Sequence, residues 1–324
     1  MTGIEERELS FKAVMSIVYI LVFPGLLFLS VSGMLLEYVD RKLYAKLQNR
    51  VGPPWFQPFA DFVKLISKED LVPGRDKKIM FRLLPFFALS AIVTSMLYIP
   101  VLGIKAAFSF NGDIIVVLYL LSIPTLTFFL AGYSSKSLFS LIGGVRTLTQ
   151  FFAYEVPLFL TFLSAALLSG SWSISEISAF YSQNSWYWLF NILGFGISMI
   201  ALLGKLEKVP FDIPEAETEI AGGTFTEYSG KLLAMFRLAI DIEVVVCAAL
   251  IAAVFLPFGL NLHPALVFVI FIAKVLFIVA LLSLLRTVFA RLRIDQMVEF
   301  CWKYIAPLSF LQLIINIIIQ ATVV

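Results

Sequence analysis

Long runs of apolar residues, separated by short polar stretches, set the pattern of this chain. A helix that spans a bilayer needs roughly 20 mostly apolar residues. Eight stretches qualify, at about 13–36, 80–102, 113–133, 149–169, 186–204, 234–256, 264–285 and 304–323. The pattern predicts an all-α integral membrane protein with eight transmembrane helices, a single polytopic domain over residues 1–324 with polar loops at about 37–79, 134–148, 205–233 and 286–303. Pro24-Gly25, Pro124, Gly194 and Gly196 mark helix-bending positions, which lipid tolerates where neighbouring helices or water re-satisfy the backbone. No internal repeat is visible, which weighs against an inverted-repeat transporter. The long connection between helices 1 and 2 carries its own pattern. Phe59, Phe62, Val63 and Ile66 share one helical face, with Asp61, Lys64 and Lys68 on others. This predicts an amphipathic helix lying along the membrane or beneath a partner, or simply covering the bundle.

Composition agrees: 60% hydrophobic, 14% charged, mean hydropathy +0.95, against about 25% charged for soluble proteins. No large soluble domain fits beside the apolar segments, and a net charge of +2 gives no reason to expect nucleic acid. The start, residues 1–10, is acidic and polar, unlike the basic region of a cleaved signal peptide. Twenty of the 24 basic residues fall in or beside the 1–2, 3–4, 5–6 and 7–8 connections. The opposite side keeps Arg7, Lys12 and Lys105, and Lys274 lies inside helix 7. The asymmetry predicts that the charged connections face the cytoplasm and both termini face outward, in the cell membrane.

The candidate chemistry concentrates on that charged face. The segment from Lys208 to Gly230 places Asp212, Glu215, Glu217, Glu219 and Glu227 in one short loop. Crowded carboxylates raise one another's proton affinity, so the loop points to proton handling. Asp212 and Pro214 suit a helix start, and in a following helix Glu215 and Glu219 share one face. Helix capping explains one or two of these acids. Glu155, Asp241, Glu243 and Lys274 lie at membrane depth, where ionisable residues are expensive and usually functional. Asp241 and Glu243 point to nearly opposite faces, and the three acids are the anions available to Lys274. A buried ion pair that only fixes helix packing is the competing reading.

Other residues are weaker signals. His263, beside Pro264, reads as a loop residue, and Trp172, Trp186 and Trp188 as an interfacial aromatic belt. Gly143-Gly144 and Gly222-Gly223 form no phosphate-binding pattern. Cys247 and Cys301 lack metal-ligand spacing and read as core residues, so no metal or cofactor is expected on this chain itself.

Several motifs carry a resemblance. They are Asp40-Arg-Lys42 with Gln48, Arg50 and Gly52-Pro53; Gln57-Pro-Phe-Ala-Asp61 with Lys64-Leu65 and Lys68-Glu-Asp70; Arg146, Gln150 and Tyr154-Glu-Val-Pro157; Pro210-Phe-Asp-Ile-Pro-Glu-Ala-Glu217, Glu219 and Glu227-Tyr-Ser-Gly230; Arg293, Asp295-Gln296 and Trp302-Lys303. Over nearly its whole length the chain resembles the NuoH-type family of respiratory complex I and related membrane-bound energy-converting [NiFe] hydrogenases. The resemblance implies a membrane anchor and ion-coupling subunit of a redox-driven pump, without covalent chemistry of its own. Iron–sulfur clusters, and a nickel–iron centre in the hydrogenase branch, belong to peripheral catalytic subunits on the cytoplasmic face. Small membrane subunits and antiporter-like subunits are further partners. Arg41, Lys42, Arg50, Asp61, Lys64, Arg146, Lys208, Arg291, Arg293 and Asp295 are the candidate docking residues. The resemblance also implies a quinone chamber in the complex I branch. Three departures favour the hydrogenase-like branch, whose peripheral arm reduces protons or a sulfur compound. Only Pro54-Trp55-Phe56 separate Gly52-Pro53 from Gln57, Lys205 and Glu207-Lys208 replace Glu and Asn-Arg, and Asp241 comes one place late in helix 6. A passive scaffold remains the alternative of another class.

Overall fold

The computed structural model describes residues 14–72, 78–103, 105–260 and 262–323, apart from the side chains of Lys78, Ser185, Glu217, Thr218 and Val323. The acidic start, with Arg7, Lys12, Arg75 and Lys77, lies outside the described residues. Among the described residues the regular structure is all helical, with no strand, and eight helices are long and apolar enough to cross a bilayer. The first spanning segment opens as a helical run at residues 14–21, breaks around Pro24-Gly25 and resumes as α1 (Leu26–Leu47). A Cβ at position 25 would stand 1.9 Å from the Ile20 carbonyl oxygen, so the break requires glycine. There follow α2 (Gln57–Ile66), α3 (Lys78–Met96), α4 (Asp113–Ser134), α5 (Leu138–Ser169) and the short α6 (Ile174–Gln183). A 3-10 turn (Ser185–Asn191) leads into α7 (Ile192–Lys205); then come α8 (Gly230–Phe255) and α9 (Pro264–Val288). The last span joins α10 (Ile294–Phe300), a π-helical turn (Cys301–Ile305) and α11 (Ala306–Val323).

Two helices organise the bundle. α8 packs on α1, α3 and α9, and every residue from Ile242 to Phe255 is buried. Its small residues Ala248, Ala249, Ala252 and Ala253 let neighbours approach closely, the usual basis of helix association in lipid. α5 packs on α4, α7 and α11. Pro124 sits within α4, which continues unbroken, and the Pro124 carbonyl also accepts the Thr127 hydroxyl at 2.6 Å.

The expected loop boundaries need correction on the charged face. α1 runs on from about residue 36 to Leu47, α5 begins at Leu138 and not near 149, and the last span begins at Ile294 and not near 304. Arg146 therefore stands on a helix. A helix satisfies its own backbone wherever it runs, so it need not stop at the edge of the apolar window.

α2 lies against α8 and α1. Phe59 and Phe62 pack on the core, but Val63 and Ile66 stay 62% and 41% exposed. The predicted apolar face is thus split between the bundle and the outside. Beyond α2 the chain is pinned to the start of α8. The Ser229 hydroxyl donates to the Glu69 carbonyl at 3.1 Å, and the Lys231 N–H donates to the Asp70 carboxylate at 2.6 Å. Gly230, at φ +59°, has no room for a Cβ, which would meet Asp70 Oδ1 at 2.3 Å.

Candidate ion path and docking face

The acidic loop, residues 206–229, is built from close backbone contacts. α7 ends in a Schellman motif: the Glu207 N–H donates to Gly204 O at 3.3 Å and the Lys208 N–H to Leu203 O at 3.0 Å. Glu207 occupies the left-handed position, φ +49°, that glycine usually fills. A side chain there costs roughly 1–2 kcal/mol. Further on, a Cβ at Gly223 would lie 1.8 Å from the Pro214 carbonyl oxygen, and one at Gly143 would lie 2.7 Å from the Thr224 nitrogen. Gly223 thus folds the loop back on itself, and Gly143 lets it lie directly against α5. Tyr228 closes it, its ring stacked on Phe81 at 3.8 Å and its hydroxyl donating to the Phe81 carbonyl.

The loop acids part company. The helix expected after Pro214 is a single turn, Glu217–Ile220, with Ala216 at its N-cap. Asp212 is therefore not at the cap, and Glu215 lies before the helix. Glu215 and Glu219 do not share a helical face, because the helix begins only after Glu215, and separate arginines claim them. Arg237 of α8 stands 3.3 Å from Glu215, and Arg146 of α5 stands 2.6 Å from Glu219. The bond from Arg146 holds the exposed Glu219 carboxyl below the usual range. The Glu217 side chain lies outside the described residues, and Glu227 is partly buried.

Below the loop a buried charge cluster joins α5, α7 and α8. Lys205 and Glu243 form an ion pair at 2.9 Å, with side chains 1% and 2% exposed. The pair lies off the hydrogen-bonding angle, so Glu243 Oε1 has no directed donor. The Lys205 ammonium instead donates to the Leu121 carbonyl at 2.5 Å and stands 6.0 Å from the Tyr154 ring. Glu155 is buried, its Oε2 has no hydrogen-bond partner, and Lys205 and Glu243 are its charged neighbours. Asp241 turns the other way, among Glu37, Arg41, Lys208 and Arg237.

Lys274 is not the partner of these acids. Among the described residues it forms no ion pair, and it lines a small cavity with Ser178, Pro100, Ala252 and Ala253. Ala252 lies nine residues beyond Glu243 on α8, ~13 Å at 1.5 Å per residue. Lys205 takes the place expected of Lys274. The apolar window ends at 204, so hydropathy alone reads Lys205 as a loop cation.

Two further residues escape the sequence reading as site members. Asp40, 1% exposed, binds Lys208 at 2.6 Å and Arg286 at 3.2 Å and accepts the Ser283 hydroxyl. It ties α1 to α9 and to the acidic loop, and Arg286 also stacks over Tyr44 at 4.1 Å. A lone carboxylate near the end of an apolar run is the available signal. The other is Glu207, whose Oε1 is sealed from solvent with no hydrogen-bond partner. Burial pushes its carboxyl well up, and repulsion from Glu215, Glu243 and Asp212 adds to this against the pull of Arg237.

The expected docking residues divide in the same way. Lys208 is turned inward onto Asp40, so its charge serves that junction and not a partner surface. Arg41 pairs with Glu37 at 2.6 Å and reaches Asp61 of α2 at 3.4 Å, and Lys42 donates to the Gly52 carbonyl. Arg50 and Lys64 are exposed. Arg146, Glu219, Arg291, Arg293 and Asp295 line a polar cavity of about 250 Å³, with Arg291 donating to the Asp212 carbonyl at 2.6 Å. Beside it Phe211, Phe289, Leu292 and Phe300 line an apolar cavity of about 230 Å³. Among the described residues no three His, Cys, Asp or Glu side chains converge to hold a metal.

Comparisons with known proteins identify the family of the chain. The NADH dehydrogenase family model matches residues 18–317. The H subunit of the NADH-quinone oxidoreductase of Dehalococcoides mccartyi (strain 195) is 35% identical over 308 residues, covering 93% of this chain and 85% of that protein. Its counterpart from Carboxydothermus hydrogenoformans is 34% identical over 302 residues, covering 90% and 85%. Among solved structures, a chain of the membrane-bound sulfane sulfur reductase, an archaeal respiratory membrane complex, aligns with a TM-score of 0.80 at 26% identity, over 90% of this chain and 96% of that one. With matches across most of its length, the chain belongs to the NADH dehydrogenase family, as a NuoH-type membrane subunit.

Proposed function

We propose that the chain is the anchor and ion-coupling subunit of a multi-subunit redox-driven pump of the complex I type. The observation that carries this reading is the sealed Lys205–Glu243 pair with the buried Glu155 beside it, in a bundle whose adjoining loop gathers several acids. Asp212, Glu215, Glu217, Glu219 and Glu227 form the receiving end, where a redox event in the peripheral arm changes proton affinity. Glu243 with Lys205, and then Glu155, form the buried end; Asp241 sits on the α1 side of the same helix. Lys274, set apart from the acids, is left out of this relay.

The arm docks on the charged face through Arg41, Lys42, Arg50, Asp61 and Lys64 around α2, and through Arg146, Arg291, Arg293 and Asp295 around the polar cavity. This face looks to the cytoplasm, given its excess of Lys and Arg, and both termini look outward. Iron–sulfur clusters and any nickel–iron centre belong to the arm. Antiporter-like subunits receive the charge on the far side.

Glu155→Gln and Glu215→Gln in the reconstituted complex test the reading. Each should assemble and carry electrons while ion translocation is lost; full translocation in both overturns it. The match to the sulfane sulfur reductase, together with the short first loop, supports an arm that reduces protons or a sulfur compound. The names of the NADH-quinone oxidoreductase relatives and the apolar cavity favour a second reading, a quinone-binding subunit. A cofactor inventory of the isolated complex separates them. Nickel with iron and no flavin marks a hydrogenase arm, flavin or bound quinone marks complex I, and iron alone marks another reductase.

A further inference from the structure

We infer that Glu207 is the carboxylate that passes the proton between the acidic loop and the buried Glu243–Glu155 cluster. This rests on the proposed function and adds to it a residue outside the loop acids. Two independent features set Glu207 apart. Its backbone holds the left-handed position of a Schellman motif, where glycine would keep both hydrogen bonds without a side chain to strain. Its Oε1 is sealed from solvent without a hydrogen-bond partner. Both work against the fold, and strain of this kind gathers at functional positions.

The neighbours supply the direction. The charges of Asp212 and Glu215 in the loop and of Glu243 on α8 act on Glu207, with Arg237, also on α8, opposing them, and two residues before Glu207 the Lys205 ammonium pairs with Glu243 at 2.9 Å. In the chain the residue stands between Lys205, the partner of Glu243, and the first loop acid, Asp212. In the transfer, the O–H bond of a loop carboxylic acid breaks as one forms on Glu207. The same proton then leaves Glu207 for Glu243, whose ion pair with Lys205 opens as its charge is neutralised, and Glu155, which neighbours Glu243, is next in line. No other reactant is needed. The electrostatics agree, since burial and three like charges let Glu207 hold a proton at a pH where an ordinary carboxyl has lost it.

The test uses the whole complex, isolated through this chain and reconstituted in vesicles. Glu207→Gly, Glu207→Gln and, as comparator, Glu155→Gln are measured for assembly, thermal unfolding and ions moved per electron. The inference expects both Glu207 variants to assemble, the glycine variant to unfold at the parental temperature or above, and translocation to fall about a hundredfold or more. An infrared band of a protonated carboxyl should also disappear in Glu207→Gln. Full translocation in both Glu207 variants while Glu155→Gln loses it overturns this inference and leaves the proposed function standing. Full translocation in all three overturns both. Failure of Glu207→Gly to assemble shows that the side chain holds the loop, and also overturns the inference.

Discussion

The Lys205–Glu243 pair at the centre of the bundle is the place where charge and stability can be weighed together. The charges stand 2.9 Å apart with side chains 1% and 2% exposed. At an effective dielectric near 20 their attraction is about 6 kcal/mol, against a desolvation penalty of several kcal/mol for each ion. The pair nets close to zero, but either charge alone keeps its penalty and loses its compensation. Lys205→Met should therefore destabilise the fold by about 3–5 kcal/mol. Glu243→Leu belongs at the lower end of that range, because the Leu121 carbonyl still accepts from the stranded ammonium. The double variant should lose less than about 2 kcal/mol, so the two changes are far from additive. The assay is a double-mutant cycle on chemical unfolding in mixed micelles, read by tryptophan fluorescence. Trp188 is a suitable reporter because its indole donates to the Phe255 carbonyl at the end of α8. Additive losses, or single variants within about 0.5 kcal/mol of the parent, would refute a buried and mutually compensated pair.

Two further outcomes follow from the same electrostatics. Asp40→Asn leaves Lys208 and Arg286 facing a neutral amide and should cost about 3–5 kcal/mol, measured as unfolding of the complex in denaturant; a loss below about 1 kcal/mol would mean the junction is not built on charge. Glu207 gives a pH dependence, because its folded carboxyl holds a proton more tightly than the unfolded chain does. Its contribution is nil below the unfolded value of about 4.5. Stability then falls as pH rises towards the folded value, and the loss is full above it. Glu207→Gln should therefore be more stable than the parent at alkaline pH, with the gain vanishing near pH 4.5, and equal stability at every pH would contradict a carboxylate with one oxygen sealed from solvent.

The spans were legible because length and hydropathy alone decide what crosses a bilayer. The loops were not. Where α1 and α5 project past the apolar window, they carry Asp40, Arg41 and Arg146, and a search for apolar runs stops short of such residues. The loop acids could be named but not their partners. Whether Glu219 meets Arg146 or Glu215 meets Arg237 depends on Gly223 folding back against Pro214, and local periodicity cannot report that contact. Lys274 and Lys205 show the same limit. Both adjoin apolar runs, and only the packing of α7 on α5 and α8 decides which one meets Glu243.

Pairing divides the ionisable residues into two kinds. Asp40 is held by two cations and a hydroxyl, and Lys205 by Glu243 and a carbonyl. Such groups are poor proton carriers at rest, since losing or gaining a proton abandons a buried counter-charge. They fix where the loop and helices meet. Glu155 and Glu207 are different: each keeps one carboxylate oxygen sealed and without a hydrogen-bond partner, as Glu215 and Glu243 do, but among the described residues neither has the ion pair that balances those two. A proton added to that oxygen breaks no hydrogen bond there and removes a charge that burial disfavours. These two residues flank the Lys205–Glu243 pair, one in α5 and one in the turn after α7. A proton moving between them alters the field on the pair without first dismantling the junctions that hold the bundle. On this argument Glu155 and Glu207 are where a proton rests, and Glu243 takes it in passing only as its pair with Lys205 opens.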